Sequence, residues 1–396
     1  MYYICKMLKG FKYRLYPTES QTILINKHIG SCRFVYNLAL EVKNYAYATQ
    51  RKNVSVFELM RQLTDLKNEC RWLREVDSQA LQQSLINLDK AFTQFFKGHA
   101  SFPNFKNKYA TQSFRNPHGY KVDIKDGRLY YPKFTKQGIK IIVDREFKGE
   151  IKNTTIIRTS TGKYFVSVLV ATKKKMPAKK TINEKTAIGI DLGIKDFIVT
   201  SDGLKVTAPK HLQKSLSHLK YFSRQHSRKN KGSINRKKSQ LKLALQHEKI
   251  TNQRKDFLHK LSSELIKNHD TLCFETLQIE NMVKNHKLAQ AIKSSGWAMF
   301  VNMCKYKAEW NGKNILQIPT FQPSTKICST CGHTNHTLTL ADREWICANC
   351  NTLHDRDINA AINIKNYSLK NCGGVRRKKP VELPTLAGAL KQEVLL

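Results

Sequence analysis

Acidic residues are scarce in this chain. Of 396 residues, 30 are Asp or Glu and 69 are Lys or Arg, for a formal charge of +39. So large an excess of one sign opposes compaction until a polyanion neutralises it. Nucleic acid is therefore the expected partner, with an anionic membrane surface as the alternative. No uninterrupted apolar run reaches 18 residues, which excludes a spanning helix and leaves no membrane partner of that kind. An apolar leader is also missing, since the opening MYYICKMLKGFKYRLYP is too polar for a signal peptide. Ten cysteines without a secretory signal argue against a disulfide framework and for reduced thiols and metal ligation. The expected compartment is the cytoplasm, at the nucleoid when DNA is bound. The length fits two or three domains, each with its own core.

Against that scarcity, the placement of a few acids is informative. Residues 187–203, AIGIDLGIKDFIVTSDG, put an apolar run onto Asp191, then a second β-rich run, then a Ser-Asp-Gly hairpin turn. Asp191 is expected on an otherwise buried strand, where a charge is costly unless paired, and a metal ion is the usual partner. Gly189 and Gly193 leave room for a ligand beside it; an Asp that merely caps a turn is the plainer alternative. Thr271–Glu275 repeats the theme, an apolar strand ending on a carboxylate. The run HDRDINAAINI at 354–364 opens a helix on which Asp357, Ala360/Ala361 and Ile364 share a face, and Asp355 suits the N-cap. Small alanines let that helix lie close to a sheet. Asp191, Glu275 and Asp357 would then form a hard-oxygen site suited to Mg²⁺ or Mn²⁺. Two such ions about 4 Å apart activate water and stabilise a leaving oxygen in phosphodiester cleavage.

A second constellation is Cys328-x-x-Cys331 followed, after 15 residues, by Cys347-x-x-Cys350. Two thiolate pairs on tight knuckles complete a tetrahedral zinc shell with no open position, which is structural rather than catalytic. His333, His336 and His354 lie close by and are not needed as ligands. The other cysteines, at 5, 32, 70, 273, 304 and 372, show no ligand spacing and are expected to be buried.

In chain order, residues 11–16 alternate apolar and basic as a strand, and Thr18 with Gln21 forms a capping-box pattern opening a helical stretch to about Gly98. Its clearest stripe is Leu81, Leu85, Leu88, Phe92 and Phe95, bounded by Asp77 or Ser78 and by Gly98. After the loop at 98–110, short β-rich runs with turn signals read as an antiparallel sheet or small barrel, joined by the strand at 11–16. A basic linker, 173–185, marks a boundary. Residues 205–260 hold 16 Lys or Arg against Glu248 and Asp256. They read as long helices with Leu212, Leu216, Leu219, Leu241 and Leu245 beneath a basic, phosphate-contacting face, broken near 231–233. Arg228, Lys229, Arg236, Lys237 and Lys238 are the nucleic-acid candidates. Residues 292–311 are helical and 314–318 a short strand.

The pieces AIGIDLGIKDFIVTSDG, CFETLQIENM, FQPSTKICSTCGH with WICANC, and HDRDINAAINI together resemble the TnpB family, transposon-encoded proteins related to type V CRISPR effectors. FKYRLYPTESQ and GHASFPNFKNK are weaker matches, and the resemblance runs to about residue 370. It implies a multidomain α+β protein. An RNase H-like (RuvC-type) α/β nuclease domain would span 186–325 and 351–370, with basic helices at 205–265 and a zinc-ribbon insertion at 326–350. A small wedge-like β-barrel, 1–17 and 99–180, would carry a helical recognition insertion at 18–98, and 371–396 would be a flexible tail. It further implies a Mg²⁺-dependent, RNA-guided DNA endonuclease. Asp191, Glu275 and Asp357 would be its metal-binding acids, a noncoding transposon-end RNA its guide, and double-stranded DNA beside a short motif its target. Base pairing then reads sequence and the protein grips backbones. Two competing readings are a non-cutting RNA-guided regulator and a transposase acting without guide RNA; a nucleoid protein would not need the buried acids.

Overall fold

Two compact units make up the chain, divided at Lys175–Met176, within the basic linker. The computed structural model describes residues 6–109, 112–134, 136–320, 322–339 and 342–373.

In the first unit, β1 (Lys6–Tyr16) buries Tyr13 and Leu15, and Pro17 ends it. Thr18 then caps α1 (Glu19–Gln50) in a full capping box: its hydroxyl accepts from the Gln21 amide at 3.3 Å, and the Gln21 side chain accepts from the Thr18 amide at 3.0 Å. Ser55 and Glu58 cap α2 (Val56–Glu69) the same way. Asp77 caps α3 (Ser78–Phe96), where Leu81, Leu85 and Leu88 are fully buried while Phe92 and Phe95 emerge partly into solvent. The sheet continues with β2 (Gln112–Asn116), β3 (Lys121–Asp123), β4 (Arg128–Tyr130), β5 (Ile139–Ile142), β6 (Gly149–Arg158) and β7 (Tyr164–Lys175). Its order is β2-β6-β7-β1-β5-β4-β3, antiparallel throughout. β1 pairs with both β5 and β7, so the helices form an insertion after the first strand of a half-barrel sheet. Among the described strands β2 and β3 stand at the two ends of that antiparallel sheet.

The second unit opens with β8 (Ala187–Leu192), β9 (Asp196–Thr200) and β10 (Lys205–Thr207), an antiparallel meander whose Ser-Asp-Gly turn has Gly203 at φ +90°. Residues 205–207 are thus a strand, and the basic helices begin later, as α4 (Lys210–Ser227) and α5 (Ile234–Asn268), with the break at Gly232. Leu212 is buried, but Leu241 and Leu245 are exposed. Over this stretch the two helices seal partly through polar contact, Gln246 donating to the Ser215 carbonyl at 2.6 Å. Next come β11 (Thr271–Glu275), α6 (Ile279–Met282), α7 (His286–Ser295), α8 (Trp297–Trp310) and β12 (Asn314–Ile318). A two-stranded ribbon, β13 (Glu344–Ile346) and β14 (Leu353–Asp355), leads into α9 (Arg356–Gly373). The ribbon therefore extends past residue 350. Helix α9 takes up residues 371–373 of the expected tail, and the remainder of the tail lies outside the described residues.

The five-stranded sheet of this unit runs β10-β9-β8-β11-β12, with β8, β11 and β12 parallel. Ile188, Ile190 and Leu192 on β8, with Leu272 and Phe274 on β11, pack against α5 and α8 through Leu258, Leu261, Leu265, Phe300 and Met303. The other face meets α9, where Cys273 and Ile318 pack with Ile364. No helix among the described residues is long and apolar enough to cross a membrane.

Candidate active site

Strand alternation decides which residues share a face. On β8 the even positions fill the core with α5 and α8, so Ala187, Gly189 and Asp191 face α9. On β11, parallel to β8, Thr271 pairs with Ala187 and Cys273 with Gly189. One step beyond that register, Glu275 comes level with Asp191 on the same face of the neighbouring strand. Both carboxylates stand at the C-terminal ends of their strands, where the hydrophobic runs stop.

Helix α9 supplies the third. Gly189 is where it touches the sheet: a Cβ there would lie 1.9 Å from the Ala361 carbonyl oxygen and 2.9 Å from Lys365. Ala360, Ala361 and Ile364 are completely buried beneath it. From Gly189 to Asp191 a strand advances about 6.6 Å; from Ala361 back to Asp357 a helix covers about 6 Å. Asp357 is thereby carried to the level of Asp191. The expected ligand space at Gly189 is filled by the protein's own helix, and at Gly193 by the Asp196 carbonyl, 2.6 Å from where a Cβ would sit.

The electrostatics agree with this convergence. Burial pushes the Asp191 carboxyl up to about 7, and the carboxylates of Glu275 and then Asp357 add to the shift; Arg356 opposes it. Asp191 keeps partial solvent access, yet protein surrounds it densely enough for desolvation to be the largest cause. Burial also raises Glu275. Asp191 thus feels the charge of both Glu275 and Asp357, an arrangement that a divalent cation relieves. All donors are hard carboxylate oxygens, which fit Mg²⁺ or Mn²⁺.

Each residue from His354 to Asp357 makes a different contact. His354 packs at a tilt against Trp345, 4.8 Å between ring centres, and places Nε2 3.0 Å from the Cys328 sulfur. Asp355 caps α9, accepting from the amides of Asp357 at 3.1 Å and Ile358 at 3.0 Å, while its other oxygen pairs with Lys205 of β10 at 2.5 Å. Arg356 donates to the carbonyls of Thr339 and Asp342. Asp357 pairs with Arg343 at 3.3 Å. Asn359 and Asn363 add hydrogen bonds to the Ile327 carbonyl at 2.8 and 2.6 Å. The ribbon is therefore fastened along the helix that carries the third acid.

Within that ribbon the sulfurs of Cys328, Cys331, Cys347 and Cys350 all lie within 4.8 Å of one another. Cys328 and Cys350 are 3.6 Å apart, as are Cys331 and Cys347. Four thiolates at about 2.3 Å around one tetrahedral ion stand about 3.8 Å from each other, so the cluster has the dimensions of a zinc shell. Of the remaining cysteines, Cys32, Cys273 and Cys304 are buried as expected and Cys70 is half-exposed at the end of α2. Cys5 and the Cys372 side chain lie outside the described residues.

Arg228, Lys229, Lys237 and Lys238 are exposed around the α4–α5 turn. Arg236 differs: its guanidinium donates to the carbonyls of Lys229 at 2.7 Å and His226 at 3.4 Å, closing the end of α4. Sequence reasoning passed over Lys205, Arg343 and the His354 contact. A Lys or Arg carries no motif of its own, and ligand spacing does not reveal a hydrogen bond to a sulfur.

Three family models match this chain. "Probable transposase" (OrfB_IS605) covers residues 166–286, a Cas12f1-like TNB domain covers 297–364, and a "Helix-turn-helix domain" covers 7–52. A Streptomyces pristinaespiralis protein named "Putative RNA-guided DNA endonuclease" is 37% identical over 97% of this chain and 96% of its own length. The chain belongs to the TnpB family. An Escherichia coli K12 member, "Putative RNA-guided DNA endonuclease InsQ", is 31% identical over 93% of this chain and 94% of its own. A Cas12f1 solved with sgRNA and target DNA shares the fold at 15% identity, with a TM-score of 0.57 over 91% of this chain and 99% of that one. In this TnpB chain the span matched as helix-turn-helix contains no such motif: it is strand β1 followed by the single uninterrupted helix α1.

Proposed function

We propose that this TnpB chain is the RNA-guided DNA endonuclease of an IS605-type insertion sequence, with Asp191, Glu275 and Asp357 as the metal-binding acids of an RNase H-like (RuvC-type) site. The observation that carries this is the convergence of three carboxylates from β8, β11 and α9 on one face of a sheet. That sheet has three antiparallel strands followed by two parallel ones. The proposed parts are a wedge, a recognition insertion, a nuclease domain and a ribbon. The names of the relatives and the charge of +39 support a long RNA and a DNA target as partners.

Each acid stands on a regular element, so its position is set before substrate arrives. Bound there, a divalent cation supplies Lewis-acid stabilisation of the phosphodiester and a water nucleophile at neutral pH. Asp191 and Glu275 stand level with each other on adjacent strands, by the register of β8 and β11. Asp355, through its cap and its pair with Lys205, holds the first turn of α9 and hence Asp357. Arg343 and Arg356 offset part of the negative charge, which lowers the repulsion met by an incoming phosphodiester.

The four cysteines fit one structural Zn²⁺, with His354 supporting the Cys328 thiolate. Because metal binding and folding are coupled, Cys347→Ser is expected to lose zinc and to unfold the ribbon. Purified variant should carry well under one zinc per chain by atomic emission and melt earlier than wild type. A full zinc complement in the variant refutes the assignment.

The test of the function as a whole is to purify the chain from its host, sequence the RNA that accompanies it, and offer DNA complementary to that RNA. Cutting that requires both the RNA and Mg²⁺ is the expected result. RNA and DNA binding with no cutting points to the regulator. The family description as a transposase favours a second reading, strand joining without a guide, and purification free of RNA would support that one.

A further inference from the structure

We propose that residues 96–109 form a stacking platform for unpaired bases of the guide RNA; this rests on the reading that the chain carries one. Four aromatic side chains in this short stretch face solvent: Phe96 is 74% exposed, Phe102 45%, Phe105 56% and Tyr109 78%. The loop that presents them is nonetheless pinned at several points. The Asn37 side chain binds both the amide and the carbonyl of Lys106, at 2.8 and 2.9 Å. The Lys106 ammonium sits 3.9 Å over the Tyr36 ring. Phe102 packs edge-on against Phe92 and Phe95 at 5.5 and 5.3 Å, and Asn107 closes a turn by accepting from the Tyr109 amide at 2.8 Å. Phe96 also packs on Phe92 and Phe95, at 6.2 and 5.3 Å between ring centres, so Phe96 and Phe102 hold the platform by their inner sides while Phe105 and Tyr109 are presented outward beside them.

Charge identifies the occupant. From Lys90 to Val122 there is no Asp or Glu at all, and Lys97 and Lys108 flank the rings, the latter 5.4 Å from the Tyr109 ring centre. An apolar protein surface would be matched by aromatics alone. Aromatic faces interleaved with uncompensated cations match a strand that offers bases and phosphates together. Only unpaired bases present their faces, which excludes a duplex. Between RNA and displaced DNA, the guide is the strand resident before any target arrives, and a loop pinned by contacts within the protein suits a resident ligand.

The test compares full-length wild type with Phe96→Ala/Phe105→Ala/Tyr109→Ala, using a uridine RNA of about 20 nucleotides, the equivalent thymidine DNA and an RNA duplex, each titrated across a salt series. Loss of stacking should weaken single-stranded RNA binding by about tenfold or more, leave duplex binding intact and leave the salt slope unchanged. Lys97→Gln/Lys108→Gln should instead lower that slope by up to about two. The aromatic-for-aromatic set Phe96→Tyr/Phe105→Tyr/Tyr109→Phe should keep wild-type affinity. If the alanine set melts early, Phe105→Ala alone is read in its place. Unchanged RNA affinity, equal loss on the duplex, or loss confined to DNA overturns the proposal. So does ring-dependent self-association at unchanged RNA affinity. Cutting is measured separately: a chain that still cuts guided DNA with the platform refuted leaves the nuclease reading intact. Ring-dependent RNA binding without any cutting overturns the nuclease and keeps the platform.

Discussion

Asp191→Asn is expected to abolish DNA cutting, by roughly a thousandfold or more, or about 4 kcal/mol of transition-state stabilisation, while RNA binding stays at wild-type strength. The substitution keeps the size and replaces one anionic oxygen with an amide, so the strand pairing of β8 is untouched. What distinguishes a metal-binding acid from a structural one here is stability. Burial, reinforced by Glu275 and Asp357, pushes Asp191 up to about 7 from an ordinary 3.8. A carboxyl raised on folding stabilises the protein while it holds its proton. That contribution is full below about pH 4 and is lost as pH rises through about 7. Metal-free wild type should therefore lose stability over that window, and Asp191→Asn should not. At pH 8 in EDTA the variant should melt no lower than wild type, and Mg²⁺ should raise the melting temperature of wild type far more than that of the variant. The metal requirement of cutting should also ease as pH rises toward 8, because the ion displaces a proton. A variant that unfolds, or that cuts as well as wild type, removes Asp191 from the site.

Much of this was legible because it rests on local rules. Thr18 with Gln21, and the apolar runs that end at Asp191 and Glu275, are patterns whose meaning is contained in a few neighbouring residues. The same is true of two Cys-x-x-Cys pairs. Leu241 and Leu245 misled because helical spacing shows that a face is apolar and not whether a neighbour covers it. Arg343 was invisible because its partner, Asp357, follows a loop, a knuckle and a strand later. Gly189 is the instructive case. A missing side chain on a strand signals close approach, and nothing local says by what. The helix that makes the approach begins more than 160 residues further on, so the open space expected for a ligand is the seat of α9.

That seat makes Gly189→Ala the most informative substitution outside the acids. The added methyl would meet the Ala361 carbonyl oxygen at 1.9 Å and the backbone nitrogen of Lys365 at 2.9 Å. Neither is the end of a flexible chain that can swing aside, so the helix must retreat by about 1 Å or the strand must bend. Overpacking of this kind costs about 1–3 kcal/mol or more, and a displacement near 1 Å at a reacting group costs about a hundredfold in rate. Because the contact lies one helical turn from Asp357, both losses should appear together: a lower melting temperature and strongly reduced cutting, with RNA binding kept. Trimming the partner as Ala361→Gly should not restore either, since the obstacle is its carbonyl rather than its methyl. Gly30→Ala, in the interior of α1 with nothing within 4 Å of the new Cβ, is the control and should stabilise by about 0.5–1 kcal/mol. If Gly189→Ala melts and cuts as wild type does, α9 is not held where its carboxylate completes the cluster, and the convergence of the three acids loses its structural cause.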